Sequence, residues 1–175
     1  MLSAEPSLFD ASAEILCKHY GPFDHQSDVL PWNATNYYRD EMGEGLLRKF
    51  FFFRELLNPE ELAKIKLFTN ALEQKFASRG ENTFRRTINL DPGYLTEAKV
   101  VLATTKDYSH RIYIGSGIYA EVTLKYSIRD MQFVPCEYTY VDYQTNEYRV
   151  LFGTARELLR SALRSSTGRK RRNEL

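Results

Sequence analysis

The chain has few cysteines and no long apolar run. Cys17 and Cys136 are its only cysteines among 175 residues, and neither has a second Cys or a His at metal-ligand spacing. This argues against a structural zinc site and favours reduced thiols in a cytosolic protein. No apolar run reaches the length of a membrane span, and the opening MLSAEPS has neither the basic region nor the hydrophobic core of a signal peptide. We therefore expect a cytoplasmic protein without a membrane partner.

Several nucleotide and catalytic motifs are also missing. No GxxxxGK[ST] phosphate loop and no serine nucleophile elbow occur. Gly115 to Ala120 match the GxGxxA form of a dinucleotide fingerprint, but alternating strand-like residues follow in place of a helix. Without a helix N-terminus to hold a pyrophosphate, the match predicts a hairpin turn.

Charge is nearly balanced over the chain. The sequence has 24 basic and 23 acidic residues, and 169–175 hold four of the basic and one of the acidic residues, which leaves 20 and 22 elsewhere. A chain that is nearly neutral outside 169–175 lacks the strongly basic surface typical of a dedicated nucleic-acid-binding protein. The basic end, RSSTGRKRR, remains a candidate for RNA or phosphate contact through counterion release.

Hydrophobic periodicity and capping residues predict the elements. Helices are expected over 6–20, from the cap Asn58-Pro59-Glu60-Glu61 to about Gly80, over 96–103, and from Tyr148 to the end of the periodic pattern. A strand buried on both faces is expected over 46–57, another strand over 83–90, and a hairpin from 111–114 and 119–128. Residues 33–45 are predicted to form a loop.

This order indicates an α+β class with a ferredoxin-like split βαβ core, a C-terminal β-hairpin and a closing helix. The first strand of that core is apparently missing, since no strand is predicted before the first helix. We expect one domain over 1–164 and a flexible basic tail over 165–175.

Polar and aromatic side chains concentrate between Arg86 and Glu121, at predicted strand ends and turns. The candidate ligand-binding residues there are Asn89, Tyr94, Lys99, Lys106, Arg111 and Glu121, and the candidate catalytic residues are Asp91, Asp107 and His110. If the hairpin pairs tightly, Tyr113 lies opposite Tyr119 and Arg111 lies opposite Glu121. Arg111 and Glu121 are then either a surface ion pair of small energetic value or the floor of an anion site.

Two of these residues have a purely structural alternative. His110 is either a solvated histidine or a general acid–base oriented by Asp91 or Asp107. Asp91-Pro92-Gly93 is an ordinary turn sequence, yet a carboxylate beside Lys99, Lys106 and Arg111 suits hydroxyl or metal binding. A divalent metal on Asp91, Asp107 or Glu121 is the weaker interpretation, so we assign no metal ligand, and the pattern names no cofactor.

Blocks of sequence along nearly the whole chain carry a family resemblance. These blocks are TNYYRDEMG (35–43), KLFTN (66–70), NLDPGYL (89–95), TKD (105–107) and HRIYIGSGIYAE (110–121). They resemble the bacterial family called domain of unknown function 4416, some members of which carry an automatic label of GTP-binding protein that no motif here supports. The resemblance implies an apolar strand ahead of the segment matching Leu2 to Glu5. Either the start site was chosen late or this member dispenses with that strand, which would expose a sheet edge or recruit a partner strand, as in a homo-oligomer.

The density of charged and hydroxyl groups predicts binding of, or action on, an anionic small molecule such as a phosphorylated metabolite or nucleotide. Residues 35–38 and Lys66, Thr69 and Asn70 are further candidates for the same cleft. The alternative is a non-catalytic interaction or regulatory module that contacts RNA through the tail and the tyrosine-rich sheet. The sequence does not decide whether the protein is an enzyme.

Overall fold

The structure is a computed structural model that describes residues 1–34, 38–79 and 84–173. The chain divides into two compact units, residues 1–93 with 102–120 and residues 94–101 with 121–175. The helices are α1 (Pro6–Tyr20), α2 (Arg39–Met42), α3 (Leu62–Phe76) and α4 (Asn146–Asn173). The strands are β1 (Leu2–Ser3), β2 (Phe23–Gln26), β3 (Leu30–Pro31), β4 (Leu47–Arg48), β5 (Phe51–Phe53), β6 (Ser78–Arg79), β7 (Phe84–Arg85), β8 (Ile88–Asn89), β9 (Gly93–Leu95), β10 (Lys99–Thr104), β11 (Ile112–Gly115), β12 (Ile118–Ser127) and β13 (Gln132–Pro135). The α+β class is confirmed, while the ferredoxin-like arrangement stays a prediction.

The first helix has the predicted bounds. Pro6 occupies the first turn of α1, where its missing N–H is not needed, and Gly21 ends the helix at a φ of 81°. Phe9, Ala13 and Leu16 form the buried stripe of α1. Because the proline in the first turn, the glycine stop and the periodicity agree, the local sequence is sufficient to define this helix.

A short strand precedes α1, which corrects the prediction that no strand is there. β1 is central in a four-stranded sheet of order β3-β4-β1-β8 and pairs antiparallel with both β4 and β8. Leu2 and Ser3 are completely buried. Two residues are too few to show the alternation by which strands are found in sequence, so the prediction missed this one.

The aromatic run after Leu46 is not one strand buried on both faces, as predicted. β4 joins the four-stranded sheet, while β5 pairs with β2 in a separate two-stranded sheet and is only half-buried. The break falls at Phe50, whose carbonyl accepts a hydrogen bond from the Ser27 N–H and whose N–H donates to the Ser27 hydroxyl. A run of aromatic residues cannot show such a break, because periodicity does not identify the partner of each residue.

The second predicted helix begins as expected. The Asn58 side chain accepts a hydrogen bond from the Glu60 N–H at 3.2 Å, and Pro59–Glu61 form a 3₁₀ turn that leads into α3. The residues from Thr83 to Leu90 hold β7 and β8 in place of one strand, with Thr83 itself outside the described residues. Within the predicted loop 33–45 the structure contains the short helix α2, and residues 35–37 lie outside the described part.

The predicted helix over 96–103 is wrong, since that stretch contains most of strand β10. Thr96 does cap backbone N–H groups, as predicted, but its hydroxyl accepts from Ala98 and Lys99 in a turn between β9 and β10. The same side-chain chemistry serves helix caps and turns. The apolar run in KVVLAT is short enough to fit either structure.

The predicted hairpin is confirmed. In a sheet of order β11-β12-β10-β9, with β13 also on β12, Tyr113 lies opposite Tyr119. Gly115, Ser116 and Gly117 all have positive φ and form the turn, with a register shift between Tyr113 and Gly115. The glycine pattern is therefore a turn, as the strand-like sequence after it predicts.

In the second unit, α4 packs on the strands through a buried aromatic cluster. Phe133 of β13 contacts Phe152 of α4 edge to face, and Tyr143 stacks against Phe152. The Arg156 guanidinium lies 3.6 Å from the Tyr126 ring centre and donates to the Glu97 carbonyl. No helix in the described part of the chain is long and apolar enough to cross a membrane.

Candidate functional site

Helix α3 carries polar residues inside its buried stripe. Lys66, Thr69 and Glu73 follow one another at spacings of three and four and are only 3–7% exposed, alongside the buried Leu62 and Leu72. Burying a charged side chain costs free energy unless opposite charges and hydrogen bonds surround it. The partners of Lys66 and Glu73 therefore define the site.

Lys66 reaches the residues that follow β8. Its Nζ donates to the Leu90 carbonyl at 2.8 Å and to Asp91 Oδ1 at 3.3 Å, and it lies 4.0 Å from Glu73 Oε1. Glu73 Oε1 accepts a hydrogen bond from the Leu90 N–H at 2.7 Å. One ammonium group thus holds the end of β8 against α3.

Arg86 and Asn89 complete a closed circuit. Arg86 Nη1 lies 3.4 Å from Glu73 Oε2 and donates to Asn89 Oδ1 at 3.1 Å. The Asn89 amide in turn donates to Asp91 Oδ2. Each of the five side chains of Lys66, Glu73, Arg86, Asn89 and Asp91 contacts the next, and we call this circuit the polar ring.

The ring has a buried side and a more open side. The Lys66 and Glu73 side chains are 6% and 8% exposed, whereas those of Arg86 and Asp91 are 25% and 28% exposed. On the open side Arg86 Nη2 donates to Glu41 Oε2 at 2.7 Å, and the guanidinium lies 5.4 Å from the Tyr38 ring centre. A cation and a carboxylate, joined through Asn89, are therefore both accessible from solution.

The two carboxyls of the ring have opposite pKa shifts. Burial raises the pKa of Glu73 above 4.5, although Lys66 and the Leu90 N–H oppose that effect. Burial also acts to raise the pKa of Asp91, but the charges of Lys66 and Arg48 outweigh it and hold the pKa below 3.8. Carboxyls whose environments separate their pKa values in this way are typical of functional sites.

Two predicted site residues, Asn89 and Asp91, belong to the ring. A second group lies in the turn before β11, where Arg111 Nη1 donates to the Lys106 carbonyl at 3.1 Å. The Arg111 guanidinium also lies 4.4 Å from the Tyr108 ring centre. The His110 ring centre is 6.1 Å from that of Tyr108. The structure therefore places His110 and Arg111 beside Tyr108, with Arg111 bonded to the Lys106 carbonyl.

The remaining predicted residues are placed separately. The Tyr119 hydroxyl hydrogen-bonds the Asp107 carboxylate. The pKa of Tyr119 is raised, mainly by desolvation and secondly by the negative charge of Asp107. Lys99 begins β10 and Tyr94 lies half-buried in β9, both in the second unit. Glu121 is buried in β12. The Arg111–Glu121 pairing stays a prediction.

Sequence reasoning missed Glu73 and Arg86 as site residues and gave Lys66 only a secondary place. A usable signal was present, because Lys66, Thr69 and Glu73 share the helical spacing of the apolar stripe that they interrupt. Arg86 gave no such signal, since only the fold brings it to Glu73. Among residues 1–34, 38–79 and 84–173, no group of three or more His, Cys, Asp or Glu side chains is placed to hold a metal ion.

The described elements and the polar ring define an α+β protein with a cluster of partly accessible charged side chains. The profile of the family described as domain of unknown function (DUF4416) matches residues 1–159. The chain belongs to this family. A search of curated proteins found no match, and a search of solved structures found none either.

Proposed function

We propose that the protein binds an anionic small molecule that also carries hydroxyl groups, such as a phosphorylated metabolite or nucleotide, at the polar ring. The observation that carries this proposal is the pair of partly exposed groups, Arg86 and Asp91, held by Asn89 between them. Arg86 supplies the contact to the anion, and Asp91 accepts a hydrogen bond from a ligand hydroxyl. The rest of the ring fixes both side chains before a ligand arrives.

The free-energy cost of burying charged side chains in the ring supports a binding role. Replacing buried ion pairs with apolar residues is often neutral or stabilising, so a ring of four charges, two of which are buried, is poorly explained by stability alone. Preorganised charges, by contrast, lower the cost of ordering side chains when a ligand binds. The ring therefore fits a binding site better than a core.

The Glu41 carboxylate occupies the position that we propose for the ligand anion. Its carboxylate, 48% exposed, pairs with Arg86 Nη2 at 2.7 Å. A guanidinium N–H donates a strong hydrogen bond to a phosphate or carboxylate oxygen, so a ligand anion can replace the Glu41 carboxylate on Nη2. The Tyr38 ring, whose centre lies 5.4 Å from the guanidinium, helps to keep Arg86 in position during the exchange.

The turn around Tyr108 extends the proposed site. Lys106 and Arg111 are the second set of candidate anion contacts. His110 is the candidate for proton transfer, with Asp91 or Asp107 as the carboxylate that orients it. Asn89, which is already part of the ring, is the remaining candidate to line the site.

Calorimetric titration with nucleotides and phosphosugars tests the proposal. We expect at least one ligand to bind wild type, Arg86→Ala to abolish that binding, and Arg160→Ala to preserve it. Arg160 is a suitable control because it is also an ion-paired arginine, with Glu97 and Glu157, but lies outside the ring. Arg111→Ala shows whether the turn around Tyr108 contributes. Binding that survives Arg86→Ala would refute the role of the ring, and a complete absence of ligands would refute the function.

The basic end of the chain favours the second candidate function, contact with RNA. Four basic residues lie within 169–175, on a body that is otherwise near neutral. Deleting 169–175 should abolish salt-dependent RNA retention if this function holds and should leave small-ligand binding unchanged. RNA retention that persists after the deletion would count against the tail.

A further inference from the structure

Arg48 is a buried arginine outside the polar ring. It lies in β4 and is only 5% exposed, and Leu2 of β1 lies opposite both Arg48 and Asn89. Residues directly opposite each other in antiparallel strands project from the same face of a sheet. Arg48 therefore shares one face of the four-stranded sheet with the ring residue Asn89, with Leu2 between them.

The charge of Arg48 acts on the Asp91 end of the ring. Asp91 Oδ2 accepts a hydrogen bond from the Asn89 amide, which brings the carboxylate to the same face. Burial acts to raise the pKa of Asp91, and the charges that lower it are those of Lys66, Arg48 and the Met1 N-terminus, in that order. Lys66 bonds Asp91 directly, so Arg48 supplies the largest stabilising charge from outside the ring.

Two aromatic residues connect Arg48 with Arg86 at the other end of the ring. The Arg48 guanidinium lies 5.8 Å from the Trp32 ring centre. Trp32 meets Tyr38 edge to face with ring centres 5.5 Å apart, and the Tyr38 ring centre lies 5.4 Å from the Arg86 guanidinium. These distances are within the range of attractive ring–ring and cation–ring contacts. We call Trp32 and Tyr38 the aromatic pair.

An apolar cluster fixes the aromatic pair. Trp32 is buried with Leu2, Met42 and Leu46, and Tyr38 packs against this cluster. The Met42 N–H also donates to the Tyr38 carbonyl at 2.7 Å. Closely packed side chains pass a displacement on to their neighbours instead of absorbing it. A change at Arg48 is therefore expected to reach Arg86 through the aromatic pair.

We infer that Arg48 is a positioning residue of the proposed anion site. Its charge keeps Asp91 ionised, and its contact with the aromatic pair keeps Arg86 in place. Arg48 does not touch the ligand, because its side chain is buried. The inference rests on the proposed function, since Arg86 and Asp91 are the two groups through which the ligand is proposed to bind.

NMR of the side-chain carboxyl carbons tests the effect on Asp91. This carboxyl should titrate at a higher pH in Arg48→Met than in wild type, because its ionised form loses an opposite charge. Arg48→Lys keeps the charge and should titrate close to wild type. If Arg48→Met does not fold, Arg48→Gln takes its place. The other ring charges at Asp91, Lys66 and Glu73, are unchanged in every variant.

Lys49→Met is the matched control for this titration. Lys49 follows Arg48 in the chain and its side chain is only 16% exposed, but its ammonium group lies 4.0 Å from Asp10. Asp91 should therefore titrate in Lys49→Met as it does in wild type. An Asp91 titration that is the same in Arg48→Met and wild type would overturn the inference.

NMR relaxation of the arginine Nε–H groups tests the effect on Arg86. Arg86 should be more mobile in Arg48→Met and in Tyr38→Leu than in wild type, while Tyr38→Leu should leave the Asp91 titration unchanged. Arg160 is the internal control in the same spectra, because it is ion-paired with Glu97 and Glu157 outside the ring. Equal Arg86 mobility in all three proteins would contradict the role of the aromatic pair and overturn the inference.

Ligand titration separates this inference from the proposed function. A nucleotide or phosphosugar that binds wild type should bind Arg48→Met more weakly and Arg48→Lys nearly as well as wild type. Equal affinity of wild type and Arg48→Met would overturn the inference and leave the proposed function intact. If none of these ligands binds wild type, the proposed function fails, and the two NMR comparisons still decide whether Arg48 controls Asp91 and Arg86.

Discussion

At the scale of single residues, Lys66 has the largest structural role in the polar ring. Its ammonium group contacts both ring carboxylates, at 3.3 Å from Asp91 and 4.0 Å from Glu73. Its side chain is 6% exposed, so water cannot replace it. Removing the charge leaves a buried carboxylate only partly compensated by the arginines and backbone N–H groups nearby.

Lys66→Met should therefore destabilise the protein by about 3–5 kcal/mol, the usual cost of breaking a buried ion pair. Lys64→Met is the control on the same helix, because the Lys64 side chain is 75% exposed and bridges the exposed Glu61. Exposed pairs of this kind contribute about 0–1 kcal/mol. Urea unfolding measures both variants, and equal losses would show that the ring charges are not coupled through Lys66.

Glu73 predicts a pH dependence of stability. Its pKa is raised in the folded protein above the ordinary 4.5, so the folded state retains this proton to a higher pH than the unfolded state. The contribution is complete below about pH 4.5 and is lost as pH rises through the raised pKa. Glu73→Gln removes this titration. The stability of wild type relative to Glu73→Gln should therefore decrease as pH rises above 4.5.

Asp91 acts in the opposite direction and in a separate range. Its pKa is lowered below 3.8, so its contribution is lost only as pH falls below that value. Since Asp91 is present in both proteins, its effect largely cancels from the comparison. Urea unfolding of wild type and Glu73→Gln between pH 4 and pH 8 checks the sign, and a relative stability that grows with pH would show that ionised Glu73 is stabilising.

At the scale of elements, two glycines allow the backbone requirements of a turn and of a helix to be compared. Gly117 has a φ of 75° in the β11–β12 turn, while Gly153 lies within α4 without a positive φ. A Cβ added at either position meets no heavy atom within 4 Å. Any difference between alanine substitutions at the two positions therefore comes from backbone conformation.

Gly117→Ala should destabilise the protein by about 1–2 kcal/mol, because a residue with a Cβ resists the left-handed region. Gly153→Ala should stabilise it by about 0.5–1 kcal/mol, because alanine loses less backbone entropy in a helix. Thermal unfolding of the two variants checks the opposite signs. A stabilising Gly117→Ala would mean that the turn relaxes to a different type.

The elements also show how far the sequence predicts this fold. Helices α1 and α3 follow from their own residues, because Pro6, Gly21 and Asn58 act locally on the backbone. Strand β10 does not, since its apolar run fits helix and strand equally and only its neighbours on both sides decide. The paired strands β1 and β4 have two residues each, which is too short for any period.

The candidate site, like the fold, contains residues that the sequence predicts and residues that it does not. Asn89 and Asp91 were predicted because they are close in sequence to a turn, where polar residues have a visible context. Arg86 and Glu73 were not predicted. They lie 13 residues apart in the chain, and they become site residues only through a contact that folding creates. Glu41 lies 45 residues from Arg86, and no local pattern connects the two.

At the scale of the whole molecule, net charge and family membership give different information about function. Because the charge of the chain is nearly balanced, its long-range electrostatic field is weak, and the anion binding proposed above relies on local groups such as Arg86. Membership of the DUF4416 family over residues 1–159 identifies kinship without identifying a ligand. The polar ring is therefore the feature from which the function has to be tested.

The buried strand β1 has a consequence for how the protein is made. The Ser3 hydroxyl donates to the Thr87 carbonyl 84 residues further along the chain, and β1 pairs with β8. On a ribosome adding about 5–20 residues per second, β1 would wait roughly 4–17 s for that partner. During this interval the backbone groups of β1 that pair with β8 lack that partner. The nascent chain should therefore bind ribosome-associated chaperones until β8 has emerged.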